Sequence, residues 1–143
     1  MFSELREFNR ILSQIDGAYH DFAVRLGIAD SVMDILYGIL NEGDGCNQSV
    51  LYKTSGMGKT TVNSALRKME REGLLYLTPG EGRNTRVFLT DEGRALARRT
   101  AGKLMELETE IFRSWSEKER TLYFSLFRRY LRQFREKTQE AEI

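Results

Sequence analysis

The stretch GKTTVNSALRKMEREGLLYLTPGEGRNTRVFLT, residues 58–90, decides the fold. Its first half has helical periodicity, because apolar residues recur at three- and four-residue intervals and form one stripe: Val62, Ala65, Leu66 and Met69. Gly73 predicts the end of this helix, since glycine adopts a left-handed C-terminal cap without steric penalty. The pattern therefore predicts an amphipathic helix that ends at Gly73.

The opposite side of this predicted helix is polar. At about 100° per residue it carries hydroxyl, amide and guanidinium groups, with no acid: Thr60, Asn63, Ser64, Arg67 and Arg71. These groups are the donors and acceptors that read base edges and phosphates. The alternative is a solvated polar face, which most surface helices have. We expect DNA contacts from the helix at Lys59, Thr60, Thr61, Asn63, Ser64, Arg67, Lys68 and Arg71.

The second half of the stretch predicts a β-hairpin. Residues 74–77 and 86–89 suit two short strands, and residues 78–85 between them are dense in turn formers. Arg83 lies at the tip of the hairpin, so we expect further DNA contacts at Arg83, Asn84 and Arg86. A helix followed by a hairpin with a basic tip is the layout of a winged helix-turn-helix. In that layout the helix enters a major groove, and the wing reaches sugar-phosphate or the minor groove.

Composition narrows the class of protein. The chain has 143 residues, 41% hydrophobic and 30% charged, which is typical of one globular domain. No apolar run approaches the roughly 20 residues of a membrane span, and the mixed-charge start does not resemble a secretory signal. One Cys and one His build neither a disulfide framework nor a Cys/His metal site. We expect no cofactor, no metal and a reducing cytoplasm.

Charge is distributed unevenly along the chain. The formal net charge is only +1, yet residues 53–99 hold ten Lys or Arg against five acids, a local excess of +5. The rest of the chain is net acidic. Because salt screens exposed charges beyond about 8 Å, the local excess is a better guide to phosphate binding than the total.

Helices are predicted on both sides of this element. Residues 2–26 form one long amphipathic helix that ends at Gly27, and residues 30–40 form a second. A turn over residues 41–45 leads to a short helix, residues 48–55, with Asn47 as its N-cap. This short helix and the helix at Lys59 make the helix-turn-helix pair.

The second half of the chain predicts two more long helices. Thr90 caps a helix that runs through Trp115 with a bend near Gly102. Ser116 and Glu119 match a capping box ahead of a last helix, residues 117–137, and the polar tail beyond it is expected to fray.

The predicted fold is mainly α with a small β-hairpin wing. A winged helix-turn-helix core, about residues 30–90, is flanked by long N- and C-terminal helices, residues 1–27 and 104–137. The core is too small to cover the apolar faces of these outer helices, so we expect them to pair with a second copy. The whole chain, residues 1–143, is then one domain of a homodimer that places two recognition helices about one DNA turn apart.

The sequence resembles a known family. KTTVNSALRKMEREGLL, then GRNTRVFLTDEGRALA, is similar to the MarR (multiple antibiotic resistance regulator) family of bacterial transcription regulators. The resemblance covers nearly the whole chain, and LTDEG directly after the wing is a specific part of it. It implies a dimeric regulator of a palindromic operator, more often a repressor, that a small ligand or oxidant releases. The family's Asp-x-Arg at the wing tip is Glu81-Gly82-Arg83 here, and Tyr52 and Ser55 replace the usual Ala and Leu.

Three other interpretations compete with DNA binding. Residues 56–61, GMGKTT, resemble a phosphate-binding loop, but Lys53 stands where its first glycine is needed and no buried strand precedes it. Cys46 is adjacent to a helix start, yet Asp44 beside it favours a structural thiol over an oxidant sensor. A protein-interaction module that uses the winged helix without specific DNA binding stays open. An enzyme is not expected.

A small-molecule effector would need a site of its own on the regulator. The candidates for that site are Tyr19, His20 and Tyr37.

Overall fold

The structure is a computed structural model that describes residues 2–143, with the backbone alone at Thr54. Within this range the chain forms two compact units that divide between Leu104 and Met105. The helices and strands follow in order: α1 Ser3–Leu26, α2 Asp30–Glu42, β1 Cys46–Asn47, α3 Gln48–Thr54, α4 Lys59–Arg71, β2 Leu75–Pro79, β3 Thr85–Leu89, α5 Asp91–Arg99, α6 Ala101–Ser114 and α7 Glu117–Glu140. The mainly helical fold with a small hairpin wing is confirmed.

The core of the first unit joins α2, α3, α4 and the sheet. α2 contributes Ile35, Leu36 and Ile39, each 0% exposed, and α3 contributes Leu51 at 1%. The side chains from the other elements are equally enclosed: Val62, Leu66, Met69, Leu75, Val87, Leu89, Ala97 and Ala101. This apolar cluster holds the helix-turn-helix pair and the wing in one packed body.

The segment between α2 and α3 differs from its prediction. The turn was expected at residues 41–45, but α2 continues to Glu42, and Cys46 and Asn47 form a short strand. β1 pairs antiparallel with β3, which places Cys46 opposite Val87. Two residues carry no readable alternation, so sequence periodicity misses such a strand. Asn47 does occupy the N-cap position of α3, but its side chain makes no capping hydrogen bond.

The sheet has three strands in the order β1-β3-β2. The hairpin strands are longer than predicted, because β2 reaches Pro79 and β3 begins at Thr85. Pro79 fits there, since it ends an edge strand, where a missing N–H costs little. Val87 and Leu89 face the core, as their alternation predicts.

The start of α5 ties the wing to the body of the first unit. The hydroxyl of Thr90 accepts a hydrogen bond from the Gly93 amide at 3.0 Å, so the predicted cap is confirmed. The same hydroxyl donates to the Gly73 carbonyl oxygen at 2.6 Å. A Cβ at Gly93 would lie 1.8 Å from the Leu74 carbonyl oxygen. Only glycine fits that approach, which gives a physical reason for the glycine of LTDEG.

The helix expected from Thr90 through Trp115 is two helices. The break lies at Thr100, whose φ of −120° and ψ of −87° are not helical, two residues before the Gly102 near which a bend was predicted. Thr100 is buried, and its hydroxyl donates to the Leu96 carbonyl oxygen at 2.6 Å. Because this bond satisfies the hydroxyl, the break is tolerated inside the core.

The second unit contains the end of α6 and all of α7. The capping box is confirmed, since the Ser116 hydroxyl accepts from the Glu119 amide at 3.1 Å and the Glu119 carboxylate accepts from the Ser116 amide at 2.8 Å. α7 extends to Glu140, so the fraying predicted from residue 138 is wrong for its first three residues. Phe112 packs on Phe124, and Trp115 packs edge-on against Tyr123 with ring centroids 5.1 Å apart. α7, described along its whole length, has no buried side chain.

In residues 2–143 no helix is both long enough and apolar enough to cross a bilayer.

Candidate nucleic-acid interface

α4 is anchored firmly by its apolar stripe. Val62, Leu66 and Met69 are each 0% exposed, and Ala65 is half-buried against the same core. The predicted end is also confirmed, because Gly73 has a φ of 74° and the Leu74 amide donates to the Met69 carbonyl oxygen at 3.0 Å. The helix therefore presents its other side from a fixed position.

The outward side of α4 is polar and cationic, and we call Thr60, Asn63, Ser64, Arg67 and Arg71 its reading face. All members of this face are exposed except Asn63, which is half-buried. The other predicted contacts on the helix are exposed as well: Lys59, Thr61 and Lys68. All the predicted helix contacts except the half-buried Asn63 are therefore accessible.

The cations of α4 keep their charge unneutralised. Among the described residues, Lys59, Arg67, Lys68 and Arg71 form no ion pair. The Lys59 ammonium lies 5.8 Å from the centroid of the Tyr52 ring, which leaves its positive charge intact. Such cations are available to phosphates, which release their own counterions on contact.

The N-terminus of α4 adds backbone donors beside these cations. Its N-cap is Gly58, which has no side-chain oxygen to accept from the first amides of the helix. Those N–H groups and the positive end of the helix dipole favour an anion. Lys59 begins the helix at this end, so amide and ammonium donors lie next to each other in sequence.

Asn63 is held by a residue that the sequence did not single out. Gln48, the first residue of α3, donates from Nε2 to the Asn63 Oδ1 at 2.5 Å. Both side chains are half-buried. The bond joins the two helices of the helix-turn-helix across 15 residues of sequence, a separation at which periodicity carries no signal.

The tip of the wing exposes two predicted contacts, Arg83 and Asn84. The Gly80 amide donates to the Asn84 carbonyl oxygen at 2.7 Å, and Gly82 takes a φ of 63° that favours glycine. Within the described part of the chain, no ion pair links Glu81 to Arg83. The Arg83 guanidinium at the tip is therefore not neutralised by its neighbouring acid.

Arg86 has a place in the fold in addition to its predicted contact. Its Nε donates to the Gly45 carbonyl oxygen at 2.8 Å, and its guanidinium lies 5.1 Å from the Phe88 ring centroid. Phe88 in turn stacks on Tyr76 with ring centroids 5.3 Å apart. Arg86 thus joins the loop before β1 to the outer face of the hairpin, and it remains exposed.

Asp44 and Arg94 hydrogen-bond to each other and to the backbone of Leu89 at the end of β3. One Asp44 carboxylate oxygen accepts from the Leu89 amide at 2.8 Å, and the other accepts from the Arg94 guanidinium at 3.1 Å. Arg94 also donates to the Leu89 carbonyl oxygen at 3.0 Å. Arg94 lies in the first turn of α5, and no local sequence pattern singles it out. Its partner Asp44 lies 50 residues away, which local pattern does not reveal.

The three effector candidates lie on α1 and α2. His20 on α1 pairs with Asp30 at the start of α2, with Nδ1 2.7 Å from the carboxylate oxygen. The hydrogen bond and the charge of Asp30 raise the pKa of His20 above its ordinary value. Tyr19 is 44% exposed, whereas Tyr37 is half-buried against the core. The described contacts give His20 a partner within the fold and leave an effector role as a prediction.

The geometry gives little support to a phosphate-binding loop at residues 56–61 or to an oxidant sensor at Cys46. Helix α3, not a buried strand, precedes residues 56–61, so the phosphate-binding loop lacks its framework. Cys46 is half-buried, and burial, followed by the charge of Glu42, raises the pKa of its thiol. A raised pKa lowers the thiolate fraction, which favours the structural interpretation. No group of metal-ligating side chains occurs among the described residues.

The architecture defines a winged helix-turn-helix protein whose second motif helix exposes an unpaired cationic face. Comparison with known proteins makes the class specific. A model of the MarR family matches residues 26–83. This match supports a MarR family winged-helix regulator, and the chain is similar to that family over this part of its length.

Individual relatives agree with this placement. The chain is 29% identical over 117 residues to the HTH-type transcriptional regulator PecS of Dickeya dadantii, covering 79% of this chain and 70% of PecS. NMB1585, a MarR family regulator from Neisseria meningitidis, is similar in structure with a TM-score of 0.84 at 18% identity, covering 97% of this chain and 99% of that one. The S. aureus MepR–DNA complex gives a TM-score of 0.69 at 21% identity, covering 94% and 98%. At these identities the structural matches show the fold.

Proposed function

We propose that this protein is a homodimeric, sequence-specific DNA-binding repressor of a palindromic operator, released by a small ligand in the cytoplasm. The observation that carries the proposal is the exposed side of α4, where four cations have no ion-pair partner among the described residues. Exposed cations without an ion-pair partner are free to meet phosphates, and a cluster of them on one helix beside polar side chains is the electrostatic footprint of a nucleic-acid interface.

The two exposed elements suit different parts of a duplex. A helix of α4's width fits the major groove. Four of its side chains are the candidates to meet base edges there: Thr60, Asn63, Ser64 and Arg67. The cations at its margins, Lys59, Lys68 and Arg71, meet phosphates. Arg83 and Asn84 at the wing tip reach sugar-phosphate or the adjacent minor groove. The structural neighbour MepR is described in complex with DNA, which supports this assignment.

The outer helices supply the argument for a dimer. α7 exposes an unusually large apolar set for a soluble helix: Leu122, Tyr123, Phe124, Leu126, Phe127, Tyr130, Leu131 and Phe134. α1 exposes a second strip: Leu5, Ile11, Leu12, Ile15 and Tyr19. Contiguous apolar surface of this kind marks a partner interface, and a second copy of the chain brings matching faces. Two-fold pairing also predicts a palindromic site.

Release by a ligand follows from the same geometry. Only one spacing of two recognition helices fits successive major grooves, so an effector that changes the spacing weakens binding. Tyr19, His20 and Tyr37 are the residues we assign to the effector site. The structural neighbour PcaV from Streptomyces coelicolor is described in complex with its natural ligand.

The test is selection of bound sequences from random duplex DNA at one fixed salt concentration. We expect enrichment of a palindrome whose half-sites are one helical turn apart. Arg98→Ala is the matched control, because Arg98 is an exposed arginine on α5 outside the proposed interface. The control should select the same palindrome. Enrichment of no sequence, with a folded protein, would contradict the proposal.

A further inference from the structure

We propose that Gln48 sets base specificity by fixing the orientation of the Asn63 side-chain amide, so that Asn63 offers only N–H donors to the DNA. This inference rests on the proposed function. It deepens that function, since it names a positioning residue and the chemical class of base that α4 selects at one position.

The geometry fixes one end of the Asn63 amide. The Gln48 Nε2 lies 2.5 Å from the Asn63 Oδ1, so the oxygen of Asn63 faces α3. The amide nitrogen of Asn63 is then the end left for the groove. Both residues are half-buried, which limits the freedom of the pair to rotate away. Asn63 itself lies within the reading face, between exposed Thr60 and exposed Arg67.

The orientation has a chemical consequence in the major groove. A free asparagine pairs with adenine through two bonds, donating to N7 and accepting from the N6 amine. With its oxygen directed at Gln48, Asn63 loses the accepting half of that pair. The remaining N–H donors favour bases that present a keto oxygen, guanine O6 or thymine O4, and disfavour cytosine, which presents only an amine.

The exposed residues of α4 around Asn63 do not restrict the choice of base in this way. Ser64 and Thr60 carry hydroxyls that donate or accept as needed, so they select bases weakly. Gln48 is not on α4, yet it decides which atom of Asn63 faces outward. The helix before the turn therefore takes part in reading sequence through a residue of the helix after it.

The experiment compares sequence selection by the full-length wild type and variants at one salt concentration. Asn63→Ala first locates the base pair concerned, as the position whose preference is lost. At that position the wild type is expected to favour guanine or thymine by about tenfold, the scale of one good base contact.

Gln48→Glu reverses the direction of the hydrogen bond between residues 48 and 63, because residue 48 then accepts instead of donating. A carboxylate only accepts, so Asn63 must turn its N–H group toward Glu and its oxygen toward the DNA. We expect the preference at that single position to change from guanine or thymine to adenine or cytosine. Gln48→Ala removes this hydrogen bond, and adenine is then expected because both halves of the asparagine pair are free. Thermal unfolding of each variant checks that the fold is kept.

Asn47→Asp is the matched control, since it adds the same negative charge at the neighbouring, exposed position. It should weaken binding to all sequences alike without changing any base preference. If the wild type selects a palindrome but Gln48→Glu keeps the same base, or Asn63→Ala alters no position, the inference is overturned and the proposed function stands. If the wild type selects nothing, both fail.

Discussion

Helices α4 and α7 expose opposite kinds of surface. α4 buries Val62, Leu66 and Met69 of its apolar stripe and turns unpaired cations outward, whereas α7 buries no side chain and exposes its apolar and aromatic residues. The apolar residues of α4 pack against the core of its own unit, and its polar face is free to bind a charged ligand. The apolar residues of α7 remain exposed to solvent. This contrast is the basis on which we propose DNA contact for α4 and self-association for α7.

The largest effect is expected from a substitution that disrupts the packing of α4 against the core. Leu66→Ala should lower the free energy of unfolding by about 2–5 kcal/mol, because it opens a cavity in a packed core. Urea denaturation of the purified protein measures it. Glu70→Ala, at an exposed position on the same helix, is the control and should change stability little. Equal losses in both variants would mean that α4 is not anchored by its stripe.

The next prediction concerns the apolar side of α7. Phe127→Glu should weaken self-association about a hundredfold or more, because an unpaired carboxylate in an apolar interface costs several kcal/mol. Sedimentation equilibrium over a range of concentrations measures the dissociation constant. Gln133→Glu adds the same charge to an exposed position of the same helix and should leave the dimer intact. A wild type that stays monomeric would remove the role assigned to α7.

A smaller effect separates two arginines of the proposed interface. Arg67→Ala should reduce the preference for operator over random DNA by about 1–3 kcal/mol, since it removes a base contact. Arg83→Ala should weaken binding to operator and random DNA more evenly, with fold and dimer unchanged. Fluorescence anisotropy with both DNAs at one salt concentration measures the two ratios. An even loss from Arg67→Ala would make it a phosphate contact instead.

The smallest effect is a pH dependence from His20. Its hydrogen bond to Asp30 raises the pKa of His20 above the ordinary histidine value, so the protonated imidazole is favoured in the fold. The resulting stabilisation is fully present below the ordinary histidine pKa and is lost as pH rises through the raised pKa. His20 is the one histidine in the sequence, so NMR titration of its ring protons is unambiguous. Asp30→Asn should lower the midpoint, and an unchanged midpoint would refute the pairing.

Local chemistry made much of the fold predictable. The apolar stripe of α4, the Gly73 terminus and the Thr90 cap are short-range signals that tertiary packing reinforces. The two-residue β1 was missed, and the bend predicted near Gly102 is a full break at Thr100. They depend on pairing with β3 and on one buried hydroxyl bond, which are contacts made by the folded chain.

The candidate site was predictable only as a set of outward residues. Periodicity places Arg67 and Arg71 on the polar face of a helix without reference to any other part of the chain. It does not reveal three hydrogen bonds of the folded chain: Gln48 to Asn63, Arg86 to the Gly45 carbonyl oxygen, and Arg94 to Asp44. Each of these contacts joins residues at least 15 apart, so three-dimensional structure is needed to find them.

The salt dependence of DNA binding tests the central claim most directly. Two double variants are compared with the wild type on the selected palindrome: Lys68→Ala with Arg71→Ala on α4, and Arg98→Ala with Arg99→Ala on α5. All four side chains are exposed, so charge loss is matched. The α4 pair should lower the slope of log affinity against log salt by about two, whereas the α5 pair leaves it unchanged. Equal slopes for the wild type and the α4 pair would contradict the assignment of α4 to DNA.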